Sequence, residues 1–103
     1  MSTPCQGEIW WAETEDGRRP VLVVTRSAAV PVLTGIVVAP VTRTVRYIPT
    51  EICVGQSEGL PSDCAASFDN LRRIRRSALT ERVGSLGVRV REICRALDAL
   101  ADC

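Results

Sequence analysis

Two β-branched runs decide most of what this chain can become. Gly17-Arg18-Arg19-Pro20-Val21-Leu22-Val23-Val24-Thr25 and Val37-Val38-Ala39-Pro40-Val41-Thr42 are apolar stretches with polar residues at one end. Valine loses side-chain freedom in a helix and packs well on a pleated surface, so runs of this kind favour buried strands. Pro20 is expected to open the first strand, where no ladder donor is needed, with Arg19 just ahead of it. Thr42 closes the second strand. If the two pair antiparallel, Arg19 and Thr42 meet at one rim of a small β structure. That rim is the first place to look for chemistry.

At 103 residues the chain is expected to form one domain, residues 1–103, with a modest core. No window approaches the apolar length of a membrane span, and no charged-then-apolar leader opens the sequence, so a cytoplasmic protein is expected. The five cysteines, Cys5, Cys53, Cys64, Cys94 and Cys103, are odd in number and scattered, with no C-x-x-C pair. That pattern argues against a zinc site and a disulfide framework and predicts reduced thiols. With no histidine in the chain, neither a metal nor a cofactor is expected.

All 13 basic residues are arginine. Catalysis would therefore have to run on Arg, Asp, Glu, Ser, Thr, Tyr or Cys, without an imidazole base. A net charge of +1 excludes a diffuse polycation but allows a local basic face, because acidic residues gather elsewhere, at Glu13, Glu15 and Asp16.

Along the chain, Met1 to Gln6 reads as a loose lead-in and Gly7-Glu8-Ile9-Trp10-Trp11-Ala12 as a first strand whose two tryptophans face opposite sides. Thr14-Glu15-Asp16-Gly17 is a turn into the next strand, its acidic tip either solvated or a lip over a site. A loop from Arg26 to Pro31 precedes a third strand at Leu33–Thr42, and Thr42-Arg43-Thr44-Val45-Arg46 leaves the sheet as a basic segment. Pro49–Val54 and Cys64–Phe68 are short strands around a Gly- and Ser-rich loop. The spacing of Val88, Val90, Ile93, Cys94, Leu97, Leu100 and Ala101 then predicts an amphipathic helix over Val88–Ala101. Five or six short strands and one terminal helix suggest a mainly β fold, a small bent sheet or barrel with the helix packed on it.

Four blocks in order, Gly7-Glu8-Ile9-Trp10-Trp11, Arg19-Pro20-Val21-Leu22-Val23-Val24, Val38-Ala39-Pro40-Val41-Thr42 and Ser67-Phe68-Asp69-Asn70-Leu71, resemble the MazF/PemK family of toxin endoribonucleases along nearly the whole chain. The resemblance implies a small SH3-like barrel of the CcdB/PemK type, a homodimer, and sequence-selective, metal-free cleavage of single-stranded RNA. The RNA would be messenger, with ribosomal and transfer RNA as further candidates. It also implies a cognate antitoxin whose tail occupies the RNA groove.

By the same resemblance Arg19 matches the family's catalytic arginine and Thr42 the family threonine, both acting on the scissile phosphate. A permanently charged, forked guanidinium is well matched to a dianionic phosphorane. Asp69 matches an acidic position proposed as base in one branch of the family. That branch carries an arginine where this chain has Ser67, and a histidine in the first hairpin loop where this chain has Glu13, Glu15 and Asp16; these three are candidates to fill part of that gap. Arg43 and Arg46 are the expected phosphate contacts, Tyr47 the expected stacking platform, and Ser67 and Asn70 further RNA-binding candidates. Phe68 is expected in the core.

The Arg72-Arg73-Ile74-Arg75-Arg76 run reads either as a solvated edge strand with salt bridges to the terminal helix or as further phosphate contacts. Two other functions share the fold: a gyrase-binding, CcdB-like toxin that cleaves nothing, and a degenerate RNA-binding relative. The first typically carries a tryptophan near its C-terminal helix end, and both tryptophans here lie in the first strand.

Overall fold

A computed structural model describes residues 3–101. Its strands are β1 (Glu8–Thr14), β2 (Gly17–Val23), β3 (Gly35–Thr42), β4 (Glu51–Val54), β5 (Cys64–Ser67), β6 (Arg72–Arg75) and β7 (Leu79–Ser85), followed by helix α1 (Glu92–Leu100). The sheet is hung on β3. One edge of β3 carries β2, through Val21↔Pro40, Leu22↔Ala39 and Val23↔Val38. Its other edge is shared: Gly35–Val38 pairs with β6, and Val41–Thr42 pairs with β5. The remaining order is β4-β5-β3-β2-β1-β7, every pairing antiparallel. The result is a mainly β half-barrel with one C-terminal helix.

The valine runs are continuous because both faces of β2 and β3 are buried, which removes the usual alternation. Leu22, Ala39 and Val41 pack with Ile9, Ile52, Phe68, Ile93 and Ala96 on the helix side. Val21, Val23, Ile36 and Val38 pack with Trp10, Val30 and Leu79 on the other. Each fully buried valine, leucine, isoleucine or phenylalanine among them contributes about 1.5–3 kcal/mol by leaving water. As the alternation of β1 requires, Trp10 enters the core while Trp11 stays half-buried, with the Arg18 guanidinium 4.8 Å from its ring centroid. The β1–β2 hairpin turns on Glu15 and Asp16, with Gly17 at φ +99° and the Thr14 hydroxyl donating to the Gly17 carbonyl at 2.7 Å. Glycine is the residue that accepts such a φ without strain.

Several expectations need correction. β2 starts at Gly17, so Pro20 sits inside the strand; it faces Trp11 before β3 has joined, where only one side of β2 has a partner. Leu33 precedes β3, because Val30–Val32 forms a 3-10 turn with proline near its start. Phe68 begins another 3-10 turn, Phe68–Asn70, and is fully buried. Of the lead-in, the part within the described residues is tied down: Pro4 is buried, and Gln6 donates to the Ser27 hydroxyl at 2.8 Å and to the Val24 carbonyl at 2.9 Å.

The terminal helix is shorter than its periodicity suggests. Gly87–Arg91 is 3-10, and its tighter winding throws Val88 out to 96 % exposure. The stripe that packs is Val90, Ile93, Ala96 and Leu97, while Cys94, Leu100 and Ala101 are exposed. β7 had no sequence signature, because Glu81, Arg82 and Gly84 interrupt it. It is held on β1 with two register shifts, and a Cβ at Gly84 would run into the Glu58 carbonyl oxygen. Cys5, Cys53, Cys64 and Cys94 are free thiols; Cys103 lies outside the described residues. Among the described residues no helix is long and apolar enough to cross a membrane.

Candidate active site

Adjacent arginines on a strand point to opposite faces, and β2 uses its pair differently. Arg18 lies over Trp11 and donates to the Glu81 carboxylate at 2.7 Å. Arg19 is exposed and, among the described residues, hydrogen-bonds to nothing in the protein; across the hairpin it faces the buried Ala12. Continuing the β2–β3 register two residues beyond Val21↔Pro40 sets Arg19 opposite Thr42. The ladder itself ends at Val21↔Pro40, so Arg19 and Thr42 lie just past it, and among the described residues no hydrogen bond joins the two side chains.

Thr42 is half-buried, and its hydroxyl accepts the Thr44 N–H at 2.8 Å. A hydroxyl that accepts from its own loop still has a proton to give. Among the described residues that proton meets only the Thr44 carbonyl at 3.5 Å, a long bond that a phosphate oxygen would replace. Past Thr42 the chain runs out through Arg43, Arg46 and Tyr47, all exposed. Tyr47 has φ +55°, the one left-handed non-glycine among the described residues.

Asp69 and Asn70 sit on the 3-10 turn where the chain crosses from β5 to β6 along the edge of β3. Asp69 is exposed and its Oδ2 accepts the Thr50 hydroxyl at 2.6 Å, leaving Oδ1 without a protein donor. Ser67 is only 2 % exposed, and its hydroxyl accepts from the Asn70 side-chain amide at 2.9 Å. Ser67 thus supports the turn from beneath, and Asn70 is the group at the surface. Glu13, Glu15 and Asp16 are exposed at the hairpin tip, just ahead of Arg19, and make no ion pair among the described residues.

The arginine run is an edge strand, but the salt bridges expected from it to the terminal helix are absent among the described residues. Arg72, Arg73 and Arg75 are exposed, and Arg76 is spent on the Val30 and Leu33 carbonyls. β6 also pairs with the Gly35–Val38 half of β3, the half away from Thr42. Ion pairing is concentrated elsewhere. Arg89 bonds both oxygens of Glu92 at 2.6 and 3.2 Å and reaches buried Glu58 at 3.3 Å. Its hydrogen bonds hold the Glu92 carboxyl below the usual range, and Glu92 in turn raises Arg89.

Sequence reasoning missed three residues that brace the site. Thr50 holds Asp69, the Glu51 carboxylate accepts the Arg46 N–H at 2.9 Å, and Arg95 donates to the Pro49 and Glu51 carbonyls at 3.1 and 3.2 Å. Thr50 and Arg95 act across many residues of sequence and carry no local signal. Glu51 had one, a carboxylate at the head of an apolar strand.

Comparison with known proteins converges. The family model for PemK-like, MazF-like toxins of type II toxin–antitoxin systems matches residues 5–101. A curated relative, probable endoribonuclease MazF5 of Mycobacterium tuberculosis, is 40 % identical over 97 % of this chain and 94 % of its own length. The solved M. tuberculosis toxin MazF-mt6 superposes with a TM-score of 0.83 at 34 % identity, covering 90 % of this chain and 94 % of that one. A mycobacterial endoribonuclease solved in complex with its cognate antitoxin shares the fold, with a TM-score of 0.80 at 24 % identity over 94 % of this chain and 93 % of that one.

Proposed function

The chain belongs to the PemK-like, MazF-like toxins of type II toxin–antitoxin systems, and on that footing we propose that it is an endoribonuclease that cuts single-stranded RNA at a preferred short sequence without a metal ion. The observation that carries this reading is the division of labour on β2: Arg18 is consumed by Trp11 and Glu81, while Arg19 keeps its fork free just past the end of the β2–β3 ladder that leads to Thr42.

The ribose 2′-hydroxyl attacks the adjacent phosphorus, a new P–O2′ bond forms, and the P–O5′ bond breaks. The leaving 5′ oxygen takes a proton from water, so the products are a 2′,3′-cyclic phosphate and a 5′-hydroxyl. Arg19 stabilises the dianionic phosphorane with two parallel N–H bonds. Thr42 turns its hydroxyl proton from Thr44 to a phosphate oxygen. Asp69, oriented by Thr50, takes the 2′-hydroxyl proton on its free oxygen. Arg43 and Arg46 hold flanking phosphates, Tyr47 stacks on a base, and Asn70 supplies a donor beside them.

The active toxin is a cytoplasmic homodimer built from one domain, residues 1–103. Val32, 79 % exposed, follows Pro31 at the wall of a groove of about 820 Å³ whose lining mixes Trp10 and Leu79 with Arg75, Arg82 and Glu81, an exposed apolar residue beside a charged groove where a second copy could dock. The cognate antitoxin inhibits by laying its tail in the RNA groove.

The test is incubation with long single-stranded RNAs in EDTA, followed by mapping of cut sites and end chemistry. Recurrent cuts with 5′-hydroxyl and 2′,3′-cyclic phosphate ends, lost when the nucleotide at the cut is 2′-deoxy, are expected. Intact RNA after incubation with folded, antitoxin-free protein would move the function to a non-cleaving toxin.

A further inference from the structure

Glu51 is a charged residue where the fold wants an apolar one. It is 3 % exposed at the start of β4, paired with Ser67 and followed by fully buried Ile52. Its Oε1 accepts the Arg46 N–H at 2.9 Å, and its Oε2 has no partner. A buried carboxylate with one hydrogen bond does not recover its desolvation cost, so the residue is a poor choice for stability alone.

Its contacts converge on Tyr47. The residue before Tyr47 is pinned by the Glu51 carboxylate, and the residue after it gives its carbonyl to the Glu51 N–H at 3.0 Å. Arg95 of α1 clamps the next stretch through the Pro49 and Glu51 carbonyls. Between these fixed points Tyr47 holds φ +55° with its side chain 81 % exposed. A non-glycine residue there costs about 1–3 kcal/mol and persists only where the surroundings over-determine it. Here they do.

We propose that Glu51 is the positioning residue of the β3–β4 loop: buried and out of reach of RNA, it fixes the Arg46–Tyr47 turn in the shape that receives the nucleotides flanking the cut. The proposal rests on the endoribonuclease reading. Rigid presentation lowers the ordering cost of binding, so losing the pin weakens RNA capture more than it slows the bond change at Arg19 and Thr42.

The experiment compares steady-state cleavage of an RNA carrying the preferred site by wild type, Glu51→Met and Glu51→Gln. Methionine keeps the length and removes the acceptor; glutamine keeps an acceptor for the Arg46 N–H. Glu51→Met should raise KM about tenfold with the change falling on KM rather than kcat, and Glu51→Gln should restore KM. A wild-type KM in Glu51→Met, or an equal loss of kcat in both variants, overturns the assignment. If Glu51→Met does not fold, amide hydrogen exchange of the Arg46 N–H in the wild type decides. Marked protection of that N–H supports the pin, and exchange at the rate of an open loop ends the proposal. A wild type that cuts no RNA removes the endoribonuclease reading itself, an outcome distinct from each of these.

Discussion

Arg89 and Arg19 are the same side chain put to opposite uses. Arg89 is only 36 % exposed and spends its donors on Glu92, Glu58 and the Cys53 carbonyl, tying α1 to the loop after β4. Arg19 is exposed and spends none within the described residues. An arginine whose fork is filled by the protein is part of the scaffold, whereas an empty fork is available to a phosphate. Emptiness alone is not enough, because Arg26, Arg72, Arg73, Arg75 and Arg91 also lack protein partners among the described residues. What sets Arg19 apart is its place just past the end of the β2–β3 ladder that continues toward Thr42, whose hydroxyl has a proton to give and whose loop carries exposed Arg43 and Arg46.

The largest effect should come from emptying the site. Arg19→Ala is expected to lower kcat/KM for RNA by about 10²–10³-fold, the usual consequence of losing one donor to the transition state. Its stability should stay within about 0.5 kcal/mol of wild type, since nothing in the protein loses a partner. Arg19→Lys should recover only a fraction of the activity, because a point charge cannot reproduce the fork. Wild-type cleavage by Arg19→Ala would show that the empty fork had been misread.

Arg89→Ala should do the reverse. It leaves Glu58, 7 % exposed, without its cation and should cost about 1.5–3 kcal/mol, roughly 10 °C in Tm for a chain of this size. Cleavage by the folded fraction should be unchanged. Thermal unfolding and an activity assay on the same sample separate the two. Lost activity at undiminished stability would place Arg89 in the site and dissolve the contrast.

How far the sequence carries can be argued from the same residues. The valine runs made β2 and β3 legible because burial on both faces leaves no ambiguity about what those side chains want. Their antiparallel pairing is present, and it is the ground on which Arg19 and Thr42 are proposed to act together. β7 was not legible: its residues pack by pairing with β1, a partner some seventy positions away, and its own pattern looks like a loop. Val88 misled because a 3-10 turn shifts the helical phase. At the site, the groups proposed to touch RNA are legible as exposed charge or aromatic surface, but those that hold them are not. Thr50 and Arg95 act through one or two hydrogen bonds to distant residues and Glu51 through one within its own loop, and such bonds leave no periodicity.

The smallest expected effect tests the scaffold side by pH. Hydrogen bonds from Arg89 hold the Glu92 carboxyl below its ordinary range. Burial pushes Glu8 up, but bonds from the Cys5 N–H, Arg82 and Trp10 outweigh it and leave it lowered as well. A carboxyl with a lower pKa folded than unfolded binds fewer protons in the native state, so its contribution is complete above the unfolded value of about 4.3 and is lost as pH falls through the folded one. Tm should therefore hold from pH 7 to about 5 and decline below that. Because Glu92 is one-third exposed, its share should be under about 1 kcal/mol. Glu92→Gln should flatten part of the acid limb, while Arg19→Ala should run parallel to wild type, having no carboxylate partner to lose. If Arg19→Ala flattens the limb as much as Glu92→Gln, Arg19 is paired in solution, and its fork is not waiting for a phosphate.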